Sequence, residues 1–124
     1  MVKGVGIDII EVNRFSRILA QQKEKLLRRI FTDDELGFCK MAANRLAGRF
    51  AAKEAFFKAL GTGFRGFKWQ DVEIKNNTLG APQFLFSEVL ARHLENLGVA
   101  KTHLSISHCK EYAVAQVILE GVNE

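Results

Sequence analysis

Asn44-Arg45-Leu46-Ala47-Gly48-Arg49-Phe50-Ala51-Ala52-Lys53-Glu54-Ala55-Phe56-Phe57-Lys58-Ala59-Leu60-Gly61 is the stretch that decides the fold. Alanine recurs at 47, 51, 52, 55 and 59, large apolar residues fill 46, 50, 56, 57 and 60, and only Gly48 interrupts. Such a run spells a long helix over Asn44–Leu60, with Gly61 suited to the left-handed conformation that ends one. Apolar on much of its circumference, it is expected to lie at the centre of the molecule. Upstream, β-branched Val2–Ile10 reads as a strand. A basic helix then runs from an Asn13 cap towards Arg29, with Phe15, Ile18, Leu19, Leu26 and Leu27 as its apolar stripe. Thr32-Asp33-Asp34-Glu35 fits a capping box and opens a helix towards Met41. Downstream, Phe67–Lys75 alternates in period two and turns at Asn76-Asn77, with Gln83–Phe86 as its partner and Gly80 and Pro82 in the connection. Ser87 caps a helix Glu88–Asn96 that Gly98 stops, and strands Thr102–His108 and Tyr112–Leu119 meet at a turn over Cys109–Glu111. The order predicts an α+β fold, a mainly antiparallel sheet packed on one long central helix.

At 124 residues and 13.9 kDa, with 48% apolar and 26% charged residues, the chain reads as one globular domain over 1–124 and not as a disordered segment. No apolar run is long enough to span a bilayer, and the first residues do not resemble a signal peptide. Cys39 and Cys109 lack metal-ligand spacing and read as free thiols in a reducing cytoplasm. A net charge of +4 and a pI near 9.3 suit a polyanionic partner, whether nucleic acid, a phosphorylated ligand, an acidic protein or an anionic surface.

Three places carry polar residues that packing does not require. Asp8 follows Val5-Gly6-Ile7 at the end of a strand expected to be buried, where a carboxylate needs a partner or a cation. Taken alone, it is as readily a cap for the following turn. Glu54 and Lys58 lie one helical turn apart, and Arg45, Arg49 and Lys53 form a second ladder. A solvated surface pair has the same spacing, although Phe50, Phe57 and Gly61 share the Glu54 side. In Ser105-Ile106-Ser107-His108 the two serines face one way, while Leu104, Ile106 and His108 face the other. That group suits a phosphate, or an ordinary strand end. There is no Walker A, HExxH, CxxC or serine elbow, and Gly61-Thr62-Gly63 is too short for a dinucleotide loop.

In combination and order, Gly6-Ile7-Asp8 with Arg14, then Arg49-Phe50-Ala51-Ala52-Lys53-Glu54-Ala55-Phe56-Phe57-Lys58-Ala59, then Ser105-Ile106-Ser107-His108, closely resemble the holo-acyl-carrier-protein synthases, the small bacterial class of 4′-phosphopantetheinyl transferases. The likeness covers nearly the whole chain, up to Glu111-Tyr112-Ala113-Val114-Ala115. It implies transfer of 4′-phosphopantetheine from coenzyme A to a serine of apo acyl carrier protein, releasing adenosine 3′,5′-bisphosphate in support of fatty acid synthesis. It also implies Asp8 and Glu54 as ligands of Mg²⁺, with Lys58 stabilising the same phosphates. Arg49, Ser107 and His108 become contacts for the nucleotide and its phosphates, and Gly80-Ala81-Pro82 a loop beside the adenine. The general base is expected to be Asp8 or Glu54 acting through a metal-bound water, and the spacing does not separate the two. The basic helix becomes a docking face for an acidic carrier through Arg14, Arg17, Lys25, Arg28 and Arg29, with Glu24 interrupting the charge.

The resemblance further implies a homotrimer with active sites between protomers, Asp8 and the long helix standing on opposite sides of the cleft. The ten phenylalanines would supply apolar surface for its interface. Phe57 replaces a residue that is often small in the family, and is expected to narrow the coenzyme A cleft or to pack on the pantetheine arm. Rival readings are a basic nucleic-acid-binding module, an idle nucleotide-binding subunit, and a transferase for peptidyl or polyketide carriers. The first lacks interleaved aromatics and any RNP, KH or helix-turn-helix pattern. The second would be free to lose Asp8, Glu54 or Lys58. The third is usually about twice this length in the family resembled.

Overall fold

The computed structural model describes residues 1–62 and 66–122, apart from the side chains of Gln22 and Lys23; Gly63 of the short glycine loop lies outside them. Strand β1 (Val2–Glu11) runs directly into helix α1 (Val12–Ile30), followed by α2 (Asp33–Cys39) and α3 (Ala43–Leu60). Strands β2 (Val72–Asn76) and β3 (Pro82–Phe86), helix α4 (Glu88–Asn96) and strands β4 (Val99–His108) and β5 (Tyr112–Gly121) complete the order. The antiparallel pairing expected from the sequence is present, divided between a three-stranded sheet β1-β5-β4 and a separate hairpin β2-β3. Both are antiparallel, and both contribute to the core around α3.

The central strand β5 shows why the sheet lies on α3. Ala113, Ala115, Val117 and Leu119 are buried at every second position; the last three share a core with Phe56, Val72, Ile74 and Leu90, and Ala113 joins a second one with Val12, Phe15 and Leu46. Small residues face the helix nearest β1. A Cβ on Gly4 would sit 2.0 Å from the Ala59 carbonyl oxygen, and one on Gly6 would sit 1.9 Å from that of Ala55. Strand backbone therefore meets helix backbone with no side chain between them, which only glycine allows on the strand.

Three boundaries differ from expectation for local reasons. Asn13 does not cap α1; the helix starts at Val12, whose amide donates to the Glu111 carbonyl of the β4–β5 turn at 2.9 Å. Phe67–Asp71 is not strand. A 3₁₀ turn over Trp69–Asp71, closed by the Lys68 amide donating to Asp71, directs Phe67 and Trp69 into the core before β2 begins. Helix α2 ends at Cys39 because Lys40 and Met41 take left-handed φ values of 51° and 59°.

Beneath α3 lies a buried ion pair. Lys53 and Glu35, both side chains 0% exposed, meet at 2.7 Å. The Lys53 ammonium also donates to the Ile30 and Trp69 carbonyls, and Glu35 accepts from the Ile74 and Thr32 amides. One cluster thus ties α1, α2, α3 and β2 together. The capping box is present, but its glutamate also anchors the core.

Gly6→Ala should lower stability by about 3 kcal/mol, the upper end for overpacking, because the clash is with backbone and cannot be relieved by a rotamer. Gly37→Ala, in α2 with nothing within 4 Å of the added carbon, should be neutral or stabilising. Chemical denaturation of the two variants checks the contrast; equal effects would remove the strand–helix contact from its role.

Candidate active site

The close approach of β1 to α3 carries Asp8 onto the helix. Its carboxylate, 9% exposed, accepts from the Lys58 ammonium at 2.8 Å through Oδ1, and Lys58 also donates to the Ile7 carbonyl at 3.1 Å. The expectation that Asp8 and the long helix stand on opposite sides of a cleft is corrected: both belong to one chain and touch. Lys58 is 56% exposed, so the pair is a charged floor open to solvent on one side. Asp8 Oδ2 is buried, and no amide, hydroxyl or ammonium group among the described residues donates to it.

Glu54 points its carboxyl at the same carboxylate. Burial, then the Asp8 charge, then a hydrogen bond with Asp8 push Glu54 up to about 7, with Lys58 opposing. A cleft of about 480 Å³ opens over this group, walled by Asp8, Glu54, Arg14, Phe15, Phe50 and Tyr112. Two adjoining carboxylates, one with an oxygen that no amide, hydroxyl or ammonium group meets among the described residues, are hard oxygen ligands in a half-buried site. They fit a divalent cation such as Mg²⁺, which is commonly held by one or two carboxylates together with waters and substrate phosphates.

The family model for the 4′-phosphopantetheinyl transferase superfamily matches residues 4–117. The chain belongs to that superfamily. A holo-[acyl-carrier-protein] synthase of Trichlorobacter lovleyi is 47% identical over 125 residues, covering 98% of this chain and 99% of its own. The crystal structure of the Neisseria meningitidis enzyme of that name superposes with a TM-score of 0.90 at 37% identity, covering 97% of this chain and 99% of the other. A Bacillus anthracis enzyme of that name, solved in complex with coenzyme A, does so at 0.80 and 41%, covering 98% and 99%. Within the superfamily, the chain belongs with the holo-acyl-carrier-protein synthases.

The remaining residues singled out from the family resemblance separate in space. Arg14 lines the cleft, and Arg17, Lys25, Arg28 and Arg29 are exposed on α1. The positions 14, 17, 21, 25 and 28 recur every three or four residues and form a stripe down the helix. Arg49 does not belong to a solvated ladder and does not face Glu54. It is 7% exposed, lies over the Phe38 ring at 4.8 Å and donates to the Asn76 side chain. Lys53, of the same ladder, is the buried partner of Glu35. Ser107 and His108 are exposed at the end of β4, two strands across the sheet from β1, or about 10 Å. The serines do face away from Leu104 and Ile106, as the alternation indicates. Pro82 adjoins Thr102–Leu104, while Asp8 lies in the row of Ala115 and Ile106, about 13 Å along the strand.

Phe57 corrects a second expectation. It is absent from the cleft and packs in the core on Phe56, Phe67 and Trp69. Sequence reasoning missed Tyr112, which reaches the cleft because β5 pairs it with Glu11. The signal would have been the β1–β5 register, which no local pattern encodes.

Because Glu54 binds its proton more tightly in the folded chain than in the unfolded one, the metal-free protein should lose stability as pH rises from about 4.5 to about 7. Glu54→Gln should flatten that slope. Thermal melts across this range check it; an unchanged slope in the variant would dissociate Glu54 from the titration.

Proposed function

We propose that this chain transfers 4′-phosphopantetheine from coenzyme A to a serine hydroxyl of apo acyl carrier protein, in the cytoplasm and in support of fatty acid synthesis. The observation that carries the reading is the Asp8–Lys58 pair with the Glu54 carboxyl against it at the base of an open cleft. The serine oxygen forms a bond to the phosphorus that carries the pantetheine arm. The phosphoanhydride bond of coenzyme A breaks, and adenosine 3′,5′-bisphosphate leaves with the bond's electron pair. The serine proton passes to the Asp8–Glu54 pair. Lys58, anchored by Asp8 and the Ile7 carbonyl, is held where an exposed ammonium can meet a phosphate oxygen.

Asp8 and Glu54 would hold Mg²⁺, which when bound supplies neutralisation of charge on the pyrophosphate. Arg14 belongs to both the cleft and the basic stripe of α1, which supports reading Arg14, Arg17, Lys25, Arg28 and Arg29 as the surface that steers an acidic carrier towards the site. Ser107, His108, Gly80 and Pro82 serve coenzyme A in this reading. Their distance from Asp8 within one chain favours a site completed by a second copy, in a homotrimer. Val5, Ile7 and Ile9 on β1 are each more than half exposed on the sheet face turned away from α3, and supply the apolar patch such an assembly needs. The patch is aliphatic and not made of the phenylalanines, of which Phe15, Phe31, Phe56 and Phe57 are buried in the core.

Intact mass of apo acyl carrier protein after incubation with this chain, coenzyme A and Mg²⁺ should rise by one phosphopantetheine, and EDTA should abolish the gain. No gain with several carriers would overturn the reading. In the same assay run as initial rates, Arg14→Glu should raise KM for the carrier about tenfold with little change in that for coenzyme A, as expected when one charged contact is reversed. Sedimentation velocity should show a trimer that Ile7→Glu dissociates; a monomeric wild type with full activity would remove the assembly.

A further inference from the structure

Arg49 is the buried charge that the catalytic pair leaves unexplained. The residue is 7% exposed, no carboxylate lies within ion-pair distance of its guanidinium among the described residues, and its Nε is buried without an acceptor. The Phe38 ring covers one side. A cation taken out of water without a counter-charge is costly, and an anion can supply what the fold does not. One group orients it: Asn76, at the end of β2. The Asn76 side-chain carbonyl accepts from Arg49 Nη2, and its amide nitrogen donates to the Gly80 carbonyl at 2.8 Å. The next residue holds the same turn, since Asn77 Oδ1 accepts from the Leu79 and Ala81 amides at 2.9 and 3.0 Å. Gly80 itself takes a φ of 90°, which favours glycine.

We infer that Asn76 is a positioning residue for the nucleotide end of coenzyme A, clamping the Arg49 guanidinium and the Gly80-Ala81-Pro82 turn in one fixed relation through the two ends of a single amide. The inference rests on the reading of Arg49 and that turn as contacts for the nucleotide. Coenzyme A carries two anionic centres, the pyrophosphate and the ribose 3′-phosphate. Lys58 and the carboxylates serve the first, so the separate, uncompensated charge of Arg49 is assigned to the second. An amide suits the clamp because it is neutral. It accepts from the guanidinium without cancelling the charge, and it still has a donor for the turn. Aspartate at 76 would do the opposite on both counts, pairing with Arg49 and repelling the Gly80 carbonyl.

The test compares coenzyme A with 3′-dephospho-coenzyme A as donor, for the wild type, Arg49→Gln, Asn76→Ala and Asn76→Asp. A charge-assisted phosphate contact corresponds to about a tenfold preference in kcat/KM for coenzyme A. Arg49→Gln should abolish that preference. Both Asn76 variants should lose most of it through KM for coenzyme A, with KM for the carrier unchanged. Asn76→Asp keeps an acceptor for Arg49 but sets a carboxylate against the Gly80 carbonyl, so it should lose the preference with kcat/KM for 3′-dephospho-coenzyme A unchanged even if Asn76→Ala folds poorly. Loss of the preference in Asn76→Ala, which does not cancel the Arg49 charge, with kcat/KM for 3′-dephospho-coenzyme A unchanged is a result that a purely structural asparagine would not give. Asn76 variants that keep the wild-type preference while Arg49→Gln loses it would overturn the inference alone. Retention of the preference by Arg49→Gln would overturn the reading of Arg49 on which it rests.

Discussion

Everything in the site follows from one steric constraint: β1 and α3 touch backbone to backbone. Gly4 and Gly6 face the Ala59 and Ala55 carbonyls at distances no Cβ can occupy. That contact sets the height of the strand over the helix. Two residues beyond Gly6 on the same face of β1, Asp8 must then emerge beside Glu54 and Lys58, and the Ile7 carbonyl falls to the Lys58 ammonium. Moving the strand outward by the radius of a methyl group would pull the carboxylate off its partner. Gly4 and Gly6 are thus the rigid base of the candidate site.

The helix divides its charges between two opposite tasks. Lys53 and Glu54 are neighbours in sequence, and successive helical positions point about 100° apart. Lys53 enters the core, where burial pulls it below the ordinary lysine range while Glu35 opposes, and carbonyls from Ile30 and Trp69 complete its ammonium. Glu54 enters the cleft, where burial and Asp8 raise it. The buried pair holds the helix in rotation against α2 and β2, so the neighbouring glutamate is presented at a fixed angle. A half-buried ionised pair is tolerated at Asp8 and Lys58 because one member reaches solvent.

Arg49 extends the same economy to the far side of α3. Its charge is buried beneath Phe38 and tied by Asn76 to the hairpin turn, so a helix and a hairpin from different parts of the chain share one amide. The two-stranded sheet, which does not pair with β1-β5-β4, thus carries a turn tied to the helix through Asn76 and lying beside Thr102–Leu104 of β4.

Local chemistry determined the element types here. The alanine-rich run of 44–60, the Thr32–Glu35 capping box, the Ser87 cap and the alternation of β4 and β5 are short-range patterns, and each formed the element read from it, with α3 starting one residue and β4 three residues earlier. The order of motifs also pointed to the family, to which the family model over residues 4–117 assigns the chain. Tertiary structure decided what spacing cannot express. It buried Lys53 and Arg49 instead of leaving them on a solvated ladder, sent Phe57 to the core, split the sheet in two, and brought Tyr112 to the cleft through β5 pairing. Helical periodicity states that residues share a face, but which faces meet protein and which meet water depends on partners dozens of positions away, and those distances exist only once the chain has folded.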